Sequence, residues 1–104
     1  IPKNAFEKCF QLKQITIPSS ITSIDNYAFH NCTSLDEVTI PSSVTFIGNY
    51  AFCDCSSLNQ ILFSSPSSMK SVGNYAFSNC SKVKVINLPS SLETMGSGCF
   101  CKCS

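Results

Sequence analysis

The sequence of 104 residues contains no Trp, no Arg, a single His and few charged side chains of either sign. Charged residues make up 12% of the chain, about half the usual share of roughly 25%. The net charge is only +1, and nucleic-acid binding normally depends on a strong basic excess. No apolar run approaches the ~20 residues that a membrane-spanning helix needs. We therefore expect no nucleic-acid partner and no membrane insertion in this segment.

The residues that are present indicate one packed unit. The chain is short enough for a single domain, and 43% of it is hydrophobic, which argues against intrinsic disorder. The eight cysteines are an unusually large number for this length and require an explanation.

Self-similarity supplies that explanation, because the chain repeats with a period of 23 residues that is interrupted once by a two-residue insertion, Ser64-Ser65. Each unit contains an aromatic position followed three residues later by a cysteine. The aromatic positions are Phe6, Phe29, Phe52, Phe77 and Phe100, and the cysteines are Cys9, Cys32, Cys55, Cys80 and Cys103. A period of this length is typical of a solenoid.

After each cysteine comes a run with alternating apolar residues, which predicts a strand ended by Pro. Four complete runs predict a four-stranded parallel sheet, and a second apolar segment in each unit is expected to cross the far side. We expect a bend at Asp25, Gly48, Gly73 and Gly96, with positive φ at the glycines. The NYAFxxC stretch is expected to form a single helical or 3₁₀ turn.

These residues resemble a known family. The stretches SVTFIGNYAFCDCSSLNQI and SITSIDNYAFHNCTSLDEVTIP are similar to the BspA-like leucine-rich repeat, also called the Treponema pallidum type. The resemblance implies a right-handed, mostly β leucine-rich repeat solenoid with its parallel sheet on the concave face and short strands and 3₁₀ or helical turns on the convex side. It also implies a cell-surface protein of bacteria or protist parasites that adheres to host or matrix proteins.

The domain organisation follows from the same register. Residues 1–104 are interpreted as a single array of about four and a half repeats and as a fragment of a longer array. Neither end has the polar capping unit that keeps solenoids soluble. We therefore expect end-to-end self-association through exposed end coils.

Each column of equivalent positions has an expected role. The Phe column is expected to form a core ladder, the five repeat cysteines a column of inward thiols, and Asn26, Asn49 and Asn74 an amide ladder at the bend. Tyr27, Tyr50 and Tyr75 are expected to cap the convex side with wet hydroxyls. The column directly after Phe, which contains His30 and Cys53, is expected to face solvent.

Catalytic and metal chemistry find little support. The spacing of Cys99, Cys101 and Cys103 does not match the paired cysteines of structural zinc sites. His30 is the only imidazole that could activate Cys53, and no third orienting group or pocket is evident. We therefore expect no enzyme activity, no cofactor and no metal.

The sheet face offers the best candidate site for a protein partner, such as a host or matrix protein. The exposed apolar residues Leu62 and Val85 are interpreted as a small anchor on adjacent strands, and the alternative is sequence drift within a longer array. The candidate contact residues are Gln14, Thr16, Glu37, Thr39, Gln60, Leu62, Lys84, Val85 and Asn87.

Two sequons, at Asn31 and Asn79, are possible glycosylation sites if the chain is secreted, and a repeat rich in Asn-Cys-Ser or Asn-Cys-Thr also forms sequons by chance. The resemblance implies a cell-surface or secreted location. Two alternatives remain open: an intracellular, cytoplasmic leucine-rich repeat scaffold with reduced thiols, and a structural spacer whose sites lie elsewhere. Fold alone does not distinguish these functions.

Overall fold

The chain forms a parallel-strand β-solenoid of about four turns, as the repeat predicts. The computed structural model describes residues 1–84 and 86–103. It contains no helix within these ranges. The strands are β1 (Gln14–Thr16), β2 (Ser23–Ile24), β3 (Glu37–Ile40), β4 (Phe46–Ile47), β5 (Gln60–Phe63), β6 (Ser71–Val72) and β7 (Thr94–Met95).

The first sheet contains β1, β3 and β5 in that order, and all of its pairs are parallel. Ile15, Val38 and Ile61 share one register position and turn toward the core. The prediction of a fourth strand is wrong for the residues described, because 84 and 86–88 form no strand. This run follows the coil that contains the insertion, which lengthens the path between β5 and the second sheet by two residues.

The second sheet confirms the apolar segment expected on the far side. Its order is β2-β4-β6-β7, again with parallel pairs throughout. Each strand has only two residues, and in the first three the second residue is buried: Ile24, Ile47 and Val72. The solenoid therefore has a core enclosed between two narrow sheets and the turns that join them.

The NYAFxxC stretches form successive β-turns, so the helical or 3₁₀ turn predicted for them is wrong. Their backbone N–H groups alternate between two kinds of acceptor. The amide of His30 donates to the carbonyl of Tyr27 within the turn, whereas the amide of Phe29 donates to that of Ala51 in the next coil at 2.7 Å. A helix would use every amide internally and leave none for the neighbouring coil.

The bend glycines are needed for space, which corrects the predicted reason for them. The backbone there takes positive φ at the tyrosines (60° at Tyr27, 58° at Tyr50), whereas Gly48 and Gly73 do not adopt it. A Cβ on Gly73 would lie 2.5 Å from Asn49 Oδ1 and 2.6 Å from its backbone nitrogen. The coils approach too closely at this column for any side chain.

The asparagine ladder explains that close approach. Asn26 Oδ1 accepts a hydrogen bond from the amide of Asn49 at 2.8 Å, and Asn49 Oδ1 accepts one from the amide of Asn74 at 2.8 Å. The first coil has Lys3 where the ladder needs a side-chain acceptor, and there Asp25 Oδ1 accepts from Asn26 N at 2.7 Å. Asp25, which stands where the later units have glycine, therefore supplies the hydrogen-bond acceptor that Lys3 cannot provide.

The phenylalanine ladder fills the core as predicted. Adjacent rings stack nearly parallel with centroid separations of 4.9–5.4 Å, and the three central rings are fully buried. The tyrosines form a second stack, with 5.1 Å between Tyr27 and Tyr50 and 5.3 Å between Tyr50 and Tyr75. Stacked aromatic pairs contribute about 0.5–1.5 kcal/mol beyond the burial of their area.

Phe52→Ala should lower the free energy of unfolding by about 3–5 kcal/mol, because it leaves a cavity between two buried rings. Phe100→Ala should cost less, since Phe100 is half-buried and stacks only on Phe77 among the described rings. Denaturant unfolding of both variants measures the difference. Equal losses would contradict the ladder as the main packing contribution.

Gly73→Ala should destabilise the chain by about 1–3 kcal/mol through overpacking against Asn49. Asp25→Asn is the matched control, because the same column already holds a Cβ in the first coil and Asn keeps an acceptor oxygen for the Asn26 amide. Denaturant unfolding of both variants measures this difference too. A Gly73→Ala loss no larger than that of the control would show that close approach does not require glycine here.

Candidate functional site

The outward face of the first sheet brings together most of the residues predicted to bind a partner. One row across the strands contains Gln14, Glu37 and Gln60, and the next contains Thr16, Thr39 and Leu62. Glu37 is half-buried and the other five are exposed. Leu62 is 39% exposed, although Thr occupies its position in both preceding strands.

Lys84 and Asn87 extend this face beyond β5. Both are exposed, and they line a shallow groove together with Gln60, Leu62 and Lys82. Val85, the second half of the predicted apolar anchor, lies outside the described residues. The groove is therefore lined by the exposed apolar side chain of Leu62 and by two ammonium groups.

A second cluster lies on the turns of the first four coils and was not predicted as a site. His30 Nδ1 lies 3.0 Å from Glu7 Oε2, and His30 Nε2 lies 3.4 Å from Asp54 Oδ2. Asn79 Nδ2 donates to Asp54 Oδ1 at 2.7 Å. The ligand atoms of His30, Cys53 and Asp54 all lie within 4.8 Å of one another.

The exposure predicted for this cluster is wrong. Cys53 is only 6% exposed and Ser78 in the next coil only 5%, so both side chains are covered by their neighbours on the turns. His30 is half-buried and held between two carboxylates, so it is not a solvated turn residue. Only Cys101, near the end of the same column, is exposed as predicted.

Burial dominates the acid–base properties of Cys53. It raises the pKa of the Cys53 thiol to about 11, and the negative charge of Asp54 and a hydrogen bond to it act in the same direction. The Ser78 hydroxyl opposes the shift by hydrogen bonding to the sulfur. Cys53 is therefore a neutral thiol at physiological pH.

Sequence reasoning missed the cluster for an identifiable reason. Writing the coils above one another places Glu7, His30, Cys53 and Ser78 in one column and Asn31, Asp54 and Asn79 in the next. That alignment already places the His30 imidazole one coil away from the Cys53 thiol and the Asp54 carboxylate. The sequence reasoning considered His30 only as a base for Cys53 and assigned the column to solvent, so the carboxylates of Glu7 and Asp54 were not considered as its partners.

The five repeat cysteines lie inward, as expected, and four of them, Cys32, Cys55, Cys80 and Cys103, also donate hydrogen bonds. Cys55 Sγ donates to the carbonyl of Phe29 at 3.2 Å, and Cys80 Sγ donates to that of Phe52 at 3.2 Å. Burial raises the pKa values of both thiols, and it raises that of Cys32 to about 11. These cysteines are structural donors.

The sequon asparagines lie on the turns, and both are half-buried. Asn31 and Asn79 have positive φ values of 63° and 61°. A glycan would attach to the side-chain nitrogen, and at Asn79 this atom already donates to Asp54. Glycosylation at Asn79 would therefore have to disturb that bond.

The family model for the BspA-type leucine-rich repeat region matches residues 1–104 in six copies. The chain belongs to this family. No curated protein matches the sequence. The leucine-rich repeat solenoid is generally a non-enzymatic scaffold for protein interactions, and this array has the same architecture.

Solved structures support the membership. A leucine-rich repeat protein from Bacteroides ovatus is 35% identical with a TM-score of 0.80, and the match covers 88% of this chain and 26% of that one. The pneumococcal vaccine antigen PcpA is 32% identical with a TM-score of 0.76, covering 81% and 20%. A leucine-rich cell surface protein from Faecalibacterium prausnitzii is 28% identical with a TM-score of 0.71, covering 85% and 26%.

This leucine-rich repeat chain therefore matches about a quarter or less of each of these three structures. Across residues 1–84 and 86–103, no helix has the length and apolarity needed to cross a membrane.

Cys53 and Cys101, the two cysteines in the column after Phe, should differ in the rate at which their thiols react. In the native protein at neutral pH, an alkylating reagent should modify Cys101 rapidly and Cys53 slowly, because Cys53 is buried and its pKa is raised. Peptide mass mapping over time measures both rates. Modification of Cys53 as fast as Cys101 would contradict the burial of Cys53.

Proposed function

We propose that the array is a non-enzymatic protein-interaction module that binds its partner through the outward face of the first sheet. The observation that carries this proposal is Leu62, an exposed apolar side chain at a register position where the two preceding strands have Thr. Neither sheet pairing nor the core requires an apolar residue there. A buried apolar anchor with a polar surround is typical of protein interfaces.

The charged side chains around Leu62 restrict which partner surfaces would be complementary to this face. Lys82 and Lys84 lie on one side of Leu62, and Glu37 lies one strand away on the other. A complementary surface would place an apolar side chain on Leu62, a carboxylate near the lysines and a basic or amide group near Glu37. Such complementarity mainly sets specificity and association rate.

We further propose that the parent molecule is an adhesin-like protein at the cell surface. The Faecalibacterium prausnitzii structure carries the description of a cell surface protein, and PcpA that of a vaccine antigen. The sequon at Asn31 is compatible with secretion in a host that glycosylates. Many weak contacts repeated along a longer array would give avidity. We also propose that such chains associate end to end through their exposed end coils.

Leu62→Thr should weaken binding of the chain to immobilised basement-membrane extract by about 10-fold or more, because it removes the anchor. Threonine at this position repeats the residue of the two preceding strands of the same sheet, so the sheet should keep its stability. Surface plasmon resonance measures the affinity, and thermal unfolding checks the fold.

Phe46→Ser provides the matched control on the opposite sheet. Phe46 is 38% exposed, and Ser23 and Ser71 occupy its register position in the neighbouring strands. This variant should bind like the wild-type chain. Unchanged binding by Leu62→Thr, or a larger loss in Phe46→Ser, would contradict the proposed face and favour a spacer or another surface.

A further inference from the structure

We propose that His30, Cys53 and Asp54 form a binding site for a divalent transition-metal ion of the Zn²⁺ class. These residues come from two adjacent coils and offer one nitrogen, one sulfur and one oxygen. This donor set suits Zn²⁺, which binds imidazole, thiolate and carboxylate. The site lies on the turns, away from the sheet face proposed for partner binding.

The distances are close to those a metal needs. Tetrahedral coordination at about 2.0–2.3 Å separates ligand atoms by roughly 3.3–3.8 Å. His30 Nε2 and Asp54 Oδ2 are already 3.4 Å apart, and every pair in the set lies within 4.8 Å. Side-chain rotations that move these ligand atoms by about 1 Å or less would bring all three within bonding distance of one ion. A fourth coordination position would remain for water.

Glu7 orients the imidazole. Its carboxylate, 3.0 Å from His30 Nδ1, can only accept a hydrogen bond, so with an ion bound at Nε2 the ring carries its proton on Nδ1 and donates it to Glu7. A carboxylate behind a histidine ligand is a recurring feature of protein zinc sites. Tyr27 adds an edge-to-face contact, with ring centroids 5.4 Å apart, that fixes the plane of the ring.

Asn79 orients the carboxylate in the same way. Its amide donates to Asp54 Oδ1 at 2.7 Å, so Oδ2 is the oxygen left facing His30. Two carboxylates, Glu7 and Asp54, thus surround one imidazole. Their combined negative charge favours a cation at this position.

The fold does not require these three residues. The next coil places Ser78 and Asn79 in the columns of Cys53 and Asp54, with nearly the same backbone φ at Asn79 (61°) as at Asp54 (63°). The same turn therefore forms with residues that are poor zinc ligands. The convergence of a His, a Cys and an Asp is a feature added to a turn that is stable without it.

Binding of the ion is a simple exchange without oxidation or reduction. The Cys53 S–H bond breaks as the sulfur–metal bond forms, and its proton passes to solvent. His30 Nε2 and Asp54 Oδ2 contribute electron pairs and release water from the ion. Each bound ion should therefore release about one proton from the thiol at neutral pH.

To test the site, the reduced 104-residue chain is titrated with Zn²⁺ in competition with a chromophoric chelator. A second titration uses Co²⁺, whose absorption spectrum reports the ligands. We expect one equivalent of metal, with a thiolate-to-cobalt charge-transfer band. Cys53→Ser and Asp54→Asn, which copy the next coil, should weaken Zn²⁺ binding by more than about 100-fold, beyond the usual effect of an orienting partner. Glu7→Gln should weaken it by about 10–100-fold.

Cys101→Ser is the matched control, because it removes an exposed thiol from the same column outside the cluster. It should bind Zn²⁺ like the wild-type chain and keep the cobalt band. The proposal is overturned if the wild-type chain binds no metal, or if Cys53→Ser and Asp54→Asn bind as tightly as wild type. Loss of binding in Cys101→Ser alone would also overturn it, because the ion would then belong to the C-terminal cysteines. Metal-free urea unfolding verifies that each variant is folded.

Discussion

The stacking of each coil directly on the one before it is the constraint on which the rest of the structure depends. Parallel strands lie about 4.8 Å apart, and the aromatic columns keep nearly the same spacing at 4.9–5.4 Å. The turns obey it too, because alternate amides donate to the next coil, as between Phe52 and Ala76 at 2.7 Å. An aromatic side chain inside the array therefore stacks on the equivalent residues one unit earlier and one unit later.

This spacing links columns that look independent in the sequence. Gly73 is required because Asn49 extends its side chain to the amide of Asn74, which brings the two backbones too close for a Cβ. Where the asparagine is missing, the glycine is not needed: the first coil has Lys3, which offers no acceptor, and the following unit has Asp25 in place of glycine. The cysteine column is linked to the phenylalanine column in the same way, since its thiols donate to carbonyls of the preceding Phe residues. Losing one member of a pair leaves the other unsatisfied or crowded.

The period of the repeat was enough to predict both sheets, the phenylalanine ladder and the asparagine ladder, because each depends only on which residues share a column. What it did not predict depends on contacts between columns. The role of the glycines comes from the asparagine one coil earlier, and the β-turn form of NYAFxxC comes from amides that bond to another coil. The burial of Cys53 was missed for the same reason, since exposure was assigned to its whole column. The absence of a strand at 86–88 follows the one coil whose length departs from the period.

The same constraint indicates where function can be located in an array of this kind. A column that must satisfy the core or the backbone keeps its residue type where that requirement holds, as Phe does in all five units and Asn in the three central ones. Columns that vary are free of that requirement, and their unusual residues need another explanation. Leu62 stands where two strands have Thr, and Cys53 and Asp54 stand where the next coil has Ser and Asn. These departures fall on two separate surfaces, the sheet face and the turns. A repeat protein can thus acquire an anchor on one surface and a metal-binding cluster on the other without altering the ladders between them, because each substitution affects only its neighbours in the adjacent coils.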